Sequence, residues 1–173
     1  SAVSGGNVPA LKKLLGSGPR SAAVYMHNGK SLLHRVIECK HSATVSREML
    51  LVLLAHGAQI ESRLADNNYT PLMLAISLQR IDMVDVLMER KANPNTLIGV
   101  DPMGFEMIAK LRDPQYFDSV LRVTGMNVNL RNSSGETMLE VSFRRNRFQM
   151  VLLRYQVDVD AAFNIPLMER AVK

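Results

Sequence analysis

The chain has 173 residues, of which 47% are hydrophobic and 21% are charged, a composition typical of one soluble globular domain. Its longest purely apolar run, Met49 to Ala55, is too short to cross a bilayer, and its single cysteine, Cys39, excludes an internal disulfide framework. A net charge of +5 favours acidic partners slightly without implying DNA binding. We therefore expect a protein of the cytoplasm or the nucleus that does not insert into a membrane.

The first element predicted in the chain is a helix that carries Leu11, Leu14 and Leu15. It follows Gly5-Gly6-Asn7, a stretch typical of a break between two helices. Because no complete helix precedes that break, we interpret residues 1–22 as part of a two-helix unit. The chain is accordingly expected to be a fragment of a larger protein.

A second helix pair is predicted between about residues 23 and 61. The run from Gly29 to His34 indicates a turn and a helix start, and His56-Gly57-Ala58 indicates the turn after the second helix. This pair is longer than the next one, and we expect its surplus residues in a loop at 40–46. Long loops can carry binding residues, but surface loops also accept insertions at little cost, so both interpretations stay open.

The clearest helix pair spans residues 62–95. Thr70 is suited to the N-cap position, and Pro71 is suited to the first helical position, where its missing N–H costs nothing. From Ile81 to Met88 apolar residues recur at three- and four-residue steps, with acidic residues between them. Such a pair can bury only part of its surface alone, so it needs a similar neighbour on each side.

The letters of this pair resemble those of the ankyrin repeat family. Thr70-Pro71-Leu72-Met73 with Ala75 is similar to the T-P-L-H-x-A motif of the first helix, with methionine in place of the histidine. Lys91-Ala92-Asn93-Pro94-Asn95 is similar to the closing G-A-D-V-N turn. His34 falls at the histidine of the same motif, which the resemblance makes a turn-bracing residue. The resemblance implies an all-α fold, an ankyrin-repeat solenoid of stacked helix–turn–helix units with projecting turn or hairpin loops.

Two further units are predicted at residues 96–128 and 129–160. In the first of these, we place Gly104 at the threonine of the motif, which puts Glu106 at a normally buried leucine position. Asp113-Pro114 is expected to separate its two helices, because the residue before proline avoids the helical conformation. This unit is therefore predicted to be the least regular of the array.

The last whole unit regains the pattern. Thr137 and Glu140 have the spacing of a capping box, and a short second helix is predicted from Gln149 to Tyr155. Ile165-Pro166-Leu167-Met168 then indicates a helix start in a last partial unit, residues 161–173. The spacing of the first helices is close to the ankyrin period of about 33 residues. We therefore interpret residues 1–173 as a single ankyrin-repeat domain.

Few residues could support chemistry. His34, Cys39 and His41 lie near each other in the sequence, but their spacing matches no standard zinc framework and no fourth ligand is evident. Phosphate-binding loop, dinucleotide-binding and zinc-protease motifs are absent from the sequence. The sequence thus predicts no enzyme activity, no catalytic residue, no metal and no cofactor.

The most concentrated charge is the run from Phe143 to Phe148, which contains three arginines. Arginines beside aromatic residues are typical of nucleic-acid binding, so an RNA-associated module that uses residues 144–147 is one alternative function. The other interpretation is that Arg144 and Arg145 face solvent while both phenylalanines pack inward. Intramolecular docking or self-association through the partial end units is a further alternative.

The ankyrin resemblance also implies where a partner would bind, namely a concave surface of loop tips and first helices. The residues that it assigns to this surface are Lys30, Glu38, Tyr69, Ser77, Leu78, Met103, Leu111, Arg112, Glu136, Arg144 and Arg145. The apolar members Tyr69, Leu78, Met103 and Leu111 are expected to form a strip beside the arginines, which is the composition of an interface centre. The predicted function is a non-catalytic scaffold or adaptor whose favoured partner is an acidic protein or peptide with apolar anchors.

Overall fold

Helices account for most of the regular structure in the computed structural model, which describes residues 2–16 and 26–158. In chain order they are α1 (Val8–Leu15), α2 (Leu32–Glu38), α3 (Ala43–Ala55), α4 (Pro71–Ser77), α5 (Ile81–Glu89), α6 (Met103–Lys110), α7 (Pro114–Thr124), α8 (Met138–Arg144) and α9 (Gln149–Leu152). Two antiparallel hairpins precede first helices: β1 (Met26–His27) pairs with β2 (Lys30–Ser31), and β3 (Leu97–Ile98) pairs with β4 (Asp101–Pro102). The predicted all-α class of helix–turn–helix units with projecting hairpins is confirmed.

Some sequence predictions lie outside the described residues or differ from the structure. The partial unit predicted at residues 161–173, with its helix start at Ile165, lies outside the described residues. The second helix of the fifth unit ends at Leu152 and not at Tyr155. Among the helices described, none is long and apolar enough to span a membrane.

The chain divides into two compact halves, Ser1–Pro94 and Asn95–Lys173. We call these halves the first and the second unit, and we call each helix pair a repeat. In the first unit, α2 packs against α4, while α3 packs against both α1 and α5. First helices therefore form one layer and second helices another. The largest fully buried side chains of this unit lie between the layers: Leu33, Ile37, Met49, Leu50, Leu53, Leu72, Met73, Ile76, Met83 and Leu87.

The second unit repeats this arrangement over two helix pairs. Its first helices, α6 and α8, pack against each other, and α9 packs against α8 and α7. Phe117 is fully buried, and its ring stacks on that of Phe148 with 4.3 Å between ring centroids. Two aromatic rings thus join the second helices of this unit, where the first unit uses aliphatic side chains.

The helices α4 and α8 begin at the N-caps that the sequence predicts, and α7 begins at the predicted break between Asp113 and Pro114. The Thr70 hydroxyl accepts a hydrogen bond from Met73 N at 3.3 Å, and Pro71 is the first residue of α4. The capping box at Thr137 and Glu140 is complete, since each side chain accepts a hydrogen bond from the backbone N–H of the other residue. Asp113 caps α7 and is followed by Pro114. These local interactions define where the repeats start.

The surplus residues of the second repeat lie mainly in a helix. The linker before α3 comprises residues 39–42 and the linker before α5 comprises residues 78–80, so the linker before α3 is one residue longer than the linker before α5. The helix α3 has 13 residues and α5 has 9, a difference of 13 − 9 = 4. Four residues are about one helical turn. The predicted loop insertion at 40–46 is therefore wrong, because Ser42 caps a helix that has been extended by one turn.

The predicted register of the fourth repeat is also wrong, by two residues. Pro102, and not Gly104, holds the N-cap position that Thr70 holds in the third repeat. Gly104 is thus the second helical residue, where α4 has Leu72. Glu106 consequently corresponds to Leu74 and not to Leu72, and its partly exposed carboxylate lies 3.9 Å from the Lys110 amine.

Candidate functional site

The apolar strip predicted for the partner surface does not exist as a surface. Tyr69, Met103 and Leu111 are buried, with 6%, 0% and 2% of their area exposed, whereas Leu78 is 47% exposed. Tyr69 precedes an N-cap, Met103 is the first residue of α6, and Leu111 ends the same helix. At these positions the side chains enter the core of their own units, so the expectation that they form an exposed strip is wrong.

Four of the six charged residues of the predicted surface form two ion pairs. The Lys30 amine lies 2.6 Å from a Glu38 carboxylate oxygen, and the Arg144 guanidinium donates to Glu136 at 2.9 and 3.2 Å. Lys30 and Glu136 each directly precede the N-cap of a first helix, and Glu38 and Arg144 are each the seventh residue of that helix. The basic residue comes first in one pair, and the acidic residue comes first in the other. The sequence signal for these pairs was an eight-residue spacing of opposite charges.

Arg144 and Arg145 both stabilise the ionised form of the Glu136 carboxyl. Hydrogen bonds from Asn132 and Arg144 lower the pKa of the Glu136 carboxyl below its ordinary value, and the charges of both arginines lower it further. Glu136 therefore remains ionised at neutral pH and holds Arg144 against the start of α8. Arg145 is exposed at the end of the same helix.

A shallow groove connects these arginines to the neighbouring repeat. It has a volume of about 160 Å³ and lies between the β3–β4 hairpin, α6 and α8. Asp101 and Glu106 line its side towards α6, and Arg144 and Arg145 line its side towards α8. We call it the inner groove, because it lies along the first-helix layer of the second unit.

The remaining predicted surface residues lie near linkers. Ser77 is partly exposed and its hydroxyl donates to the carbonyl oxygen of Leu74 at 2.9 Å. Arg112 is exposed in the linker between α6 and α7. Neither side chain lines the inner groove.

The run from Phe143 to Phe148 separates into residues with different roles. Phe148 is buried against Phe117 as predicted, but Phe143 is 45% exposed, so the prediction that it packs inward is wrong. Arg144 pairs with Glu136, and Arg147 donates to the carbonyl oxygen of Leu111 at 3.4 Å. One arginine is thus part of an ion pair and another stabilises the end of α6.

In the first unit, Arg80 stabilises the end of a first helix in the same way as Arg147 does in the second unit. Its guanidinium donates to the carbonyl oxygens of Ile37 and Cys39 at 3.3 and 3.2 Å. These carbonyls belong to the end of α2, where the helix dipole favours a cation. The sequence analysis missed this role, although each arginine lies shortly before a second helix.

The His34, Cys39 and His41 cluster is dispersed by the fold. His34 Nε2 donates to the carbonyl oxygen of Tyr69 at 3.1 Å, whereas His41 Nε2 donates to that of Val3 at 2.8 Å. His34 therefore braces a turn, as the resemblance implied. In the part of the chain that the structure describes, no group of three or more histidine, cysteine, aspartate or glutamate side chains is placed to hold a metal ion.

Comparison with known proteins gives one finding. A family model described as ankyrin repeats (3 copies) matches residues 1–97, which is more than half of the chain. No curated protein matches the chain. The matched residues cover the first unit, and the second unit has the same order of hairpin, first helix and second helix.

Proposed function

The chain belongs to the ankyrin repeat family, and on that premise we propose that it is a non-catalytic scaffold or adaptor that binds a protein or peptide on its inner surface. Ankyrin repeats generally serve as protein–protein interaction modules, and such domains are typically non-catalytic. The proposed location is the cytoplasm or the nucleus, which the single cysteine of the sequence supports.

The observation that carries this proposal is the inner groove of the second unit. Folding requires buried apolar residues in the first helices, but it does not require two arginines at the end of α8. Arg144 and Arg145 line the groove together with the partly exposed Ile98 and Ala109, so charge and apolar surface occur side by side. Arginine and apolar side chains are enriched at interface centres.

The partner that this chemistry favours is an acidic peptide with an apolar anchor. A partner carboxylate can bind Arg145 directly, or it can replace Glu136 as the partner of Arg144, because both arginines are exposed. In the first unit, the exposed Leu78 and the Lys30–Glu38 pair supply similar chemistry. These residues replace the buried strip as the proposed contacts.

The test is a comparison of partner capture by three forms of the chain. The intact chain is compared with Arg144→Glu/Arg145→Glu and with the control Lys13→Glu/Arg90→Glu, which changes the net charge equally at exposed positions outside the inner groove. We expect a partner that the intact chain and the control retain and that the inner-groove variant loses, with equal helicity in all three. Equal capture by all three forms would refute the proposed surface.

A further inference from the structure

The second-helix layer of the first unit is closed by ion pairs between repeats. The Lys12 amine of α1 lies 2.8 Å from a carboxylate oxygen of Glu48 in α3. The Arg47 guanidinium of α3 donates to both carboxylate oxygens of Glu89 in α5, at 2.9 and 3.1 Å. Opposite charges are thus matched one to one at each of these helix contacts.

The corresponding contact in the second unit, between α7 and α9, is more open. The helix α7 has 11 residues and α9 has 4, so at about 1.5 Å per residue α9 can cover only part of α7. A groove of about 520 Å³ lies beside the uncovered part, between Pro114, Arg122 and Arg154. We call it the outer groove, because it lies along the second-helix layer.

The charges in the outer groove are not matched one to one. The carboxylate of Asp118 lies 3.6 Å from the Arg122 guanidinium and 3.9 Å from that of Arg154. It also accepts a hydrogen bond from the Tyr155 hydroxyl at 3.0 Å. Among the described residues, the charged side chains that line the groove are Asp118, Arg122 and Arg154, which leaves 2 − 1 = 1 positive charge in excess. Both arginines are largely exposed, so each can take another anion.

An exposed apolar side chain lies in the same groove. Met150 is 70% exposed on α9, and Val151 follows it in the lining. Methionine adapts its shape to different partners and is enriched at interfaces. Arg154 also lines a second hollow of about 380 Å³ near Tyr155.

We propose that the outer groove binds an acidic peptide segment in which an apolar side chain is flanked by carboxylates. The apolar side chain packs on Met150, and the flanking carboxylates form charge-assisted hydrogen bonds with Arg122 and Arg154. A nucleic acid is disfavoured because, among the described residues, no aromatic side chain lines this groove to stack on a base. This site lies in the opposite helix layer of the second unit from the inner groove, so it is independent of the proposed function above.

The experiment selects ligands from a phage-displayed library of random peptides on the immobilised intact chain. We expect enriched peptides to share an apolar residue with aspartate or glutamate on both sides. Synthetic copies should bind the Arg122→Glu/Arg154→Glu variant at least about tenfold more weakly than the intact chain, because attraction becomes repulsion. Met150→Ser should weaken binding as well, while the control Lys13→Glu/Arg90→Glu, at exposed positions that line neither groove, should leave it unchanged.

Several outcomes would overturn the proposal. One is enrichment of peptides without acidic residues, and another is loss of binding in the inner-groove variant but not in Arg122→Glu/Arg154→Glu. Self-association of the chain that is abolished by Arg122→Glu/Arg154→Glu, without peptide binding, would assign the groove to a second copy instead. Far-UV circular dichroism of each variant establishes that the helices are intact.

Discussion

At the scale of single residues, His34 joins two repeats of the first unit through a chain of hydrogen bonds. The Ser62 hydroxyl donates to Ser31 at 2.9 Å, and the Ser31 hydroxyl lies 2.8 Å from His34 Nδ1. Because the Tyr69 carbonyl can only accept, the ring proton lies on Nε2, and Nδ1 accepts from Ser31. Burial of the ring lowers the pKa of His34 below 6.5, although the hydrogen bond to Tyr69 opposes this shift.

The His34 network predicts a pH-dependent stability. Because the pKa of His34 is lower in the folded chain than the unperturbed 6.5, the unfolded chain binds the proton more readily as pH falls below that value. The free energy of unfolding should therefore have its full value above pH 6.5 and should decrease as the pH falls below 6.5. His34→Gln should show a smaller decrease in urea unfolding measured across this range. An identical pH dependence in both proteins would contradict the prediction.

Two buried serines allow a second residue-scale prediction. Ser46 and Ser142 are fully buried in helices, but the Ser142 hydroxyl donates to the Leu139 carbonyl at 2.7 Å, whereas that of Ser46 has no hydrogen-bond partner among the described residues. We expect Ser46→Ala to raise the free energy of unfolding by about 1 kcal/mol and Ser142→Ala to lower it by about 1 kcal/mol. Thermal unfolding of both variants measures this, and destabilisation by Ser46→Ala would contradict it.

At the scale of helices, α6 and α8 fit together through a glycine. A Cβ atom added at Gly104 would lie 2.5 Å from the sulfur of Met138, which is itself buried. The corresponding residues of α2 and α4 are Leu33 and Leu72. In the fourth repeat, Met138 of the next repeat fills the space that a leucine side chain fills at those positions. The contact between these two helices therefore depends on the pair.

This pair predicts a strong coupling in a double-mutant cycle. Gly104→Ala should destabilise the chain by up to about 2 kcal/mol, because the added methyl group must displace the buried thioether end of Met138, while the better helix propensity of alanine offsets about 1 kcal/mol of that cost. In a Met138→Ala background the same substitution should be neutral or stabilising, because the space is free and alanine favours the helix. Urea unfolding of the four proteins of the cycle gives the coupling energy. Equal effects of Gly104→Ala in both backgrounds would refute the contact.

At the scale of the whole chain, the two units are predicted to differ in stability. The second unit has a glycine, Gly104, at a helical core position that is leucine in α4, and α9 has only one turn. In a repeat array, each repeat contributes its own stability and that of its contacts with neighbours. The fourth and fifth repeats should therefore open more easily than the second and third.

Hydrogen exchange tests this difference. Ile108 and Leu121 of the fourth repeat are as buried as Leu72 and Leu87 of the third. We nevertheless expect the amides of the former pair to exchange faster, because local opening depends on the stability of the surrounding repeat more than on burial. Equal protection of the two pairs in native-state exchange would show that the repeats are equally stable.

Local chemistry explains why much of the fold could be predicted from the sequence. Thr70 with Pro71, and Thr137 with Glu140, start their helices through hydrogen bonds and backbone angles within four residues, so the sequence alone specified these starts. The repeat class followed from the resemblance of these starts, and of the turns that close the pairs, to the ankyrin motif. The same resemblance identified Arg144 and Arg145 as surface residues.

The tertiary structure alone decided which side chains are available to a partner. Tyr69, Met103 and Leu111 occupy positions that the repeat pattern leaves variable, and their burial depends on the residues that pack against them in three dimensions. The register of α6 depended likewise on Met138, which is distant in the sequence and fills the space above Gly104. The outer groove exists because α9 is shorter than α7. Burial is a property of pairs of elements, and a single repeat does not encode its neighbour.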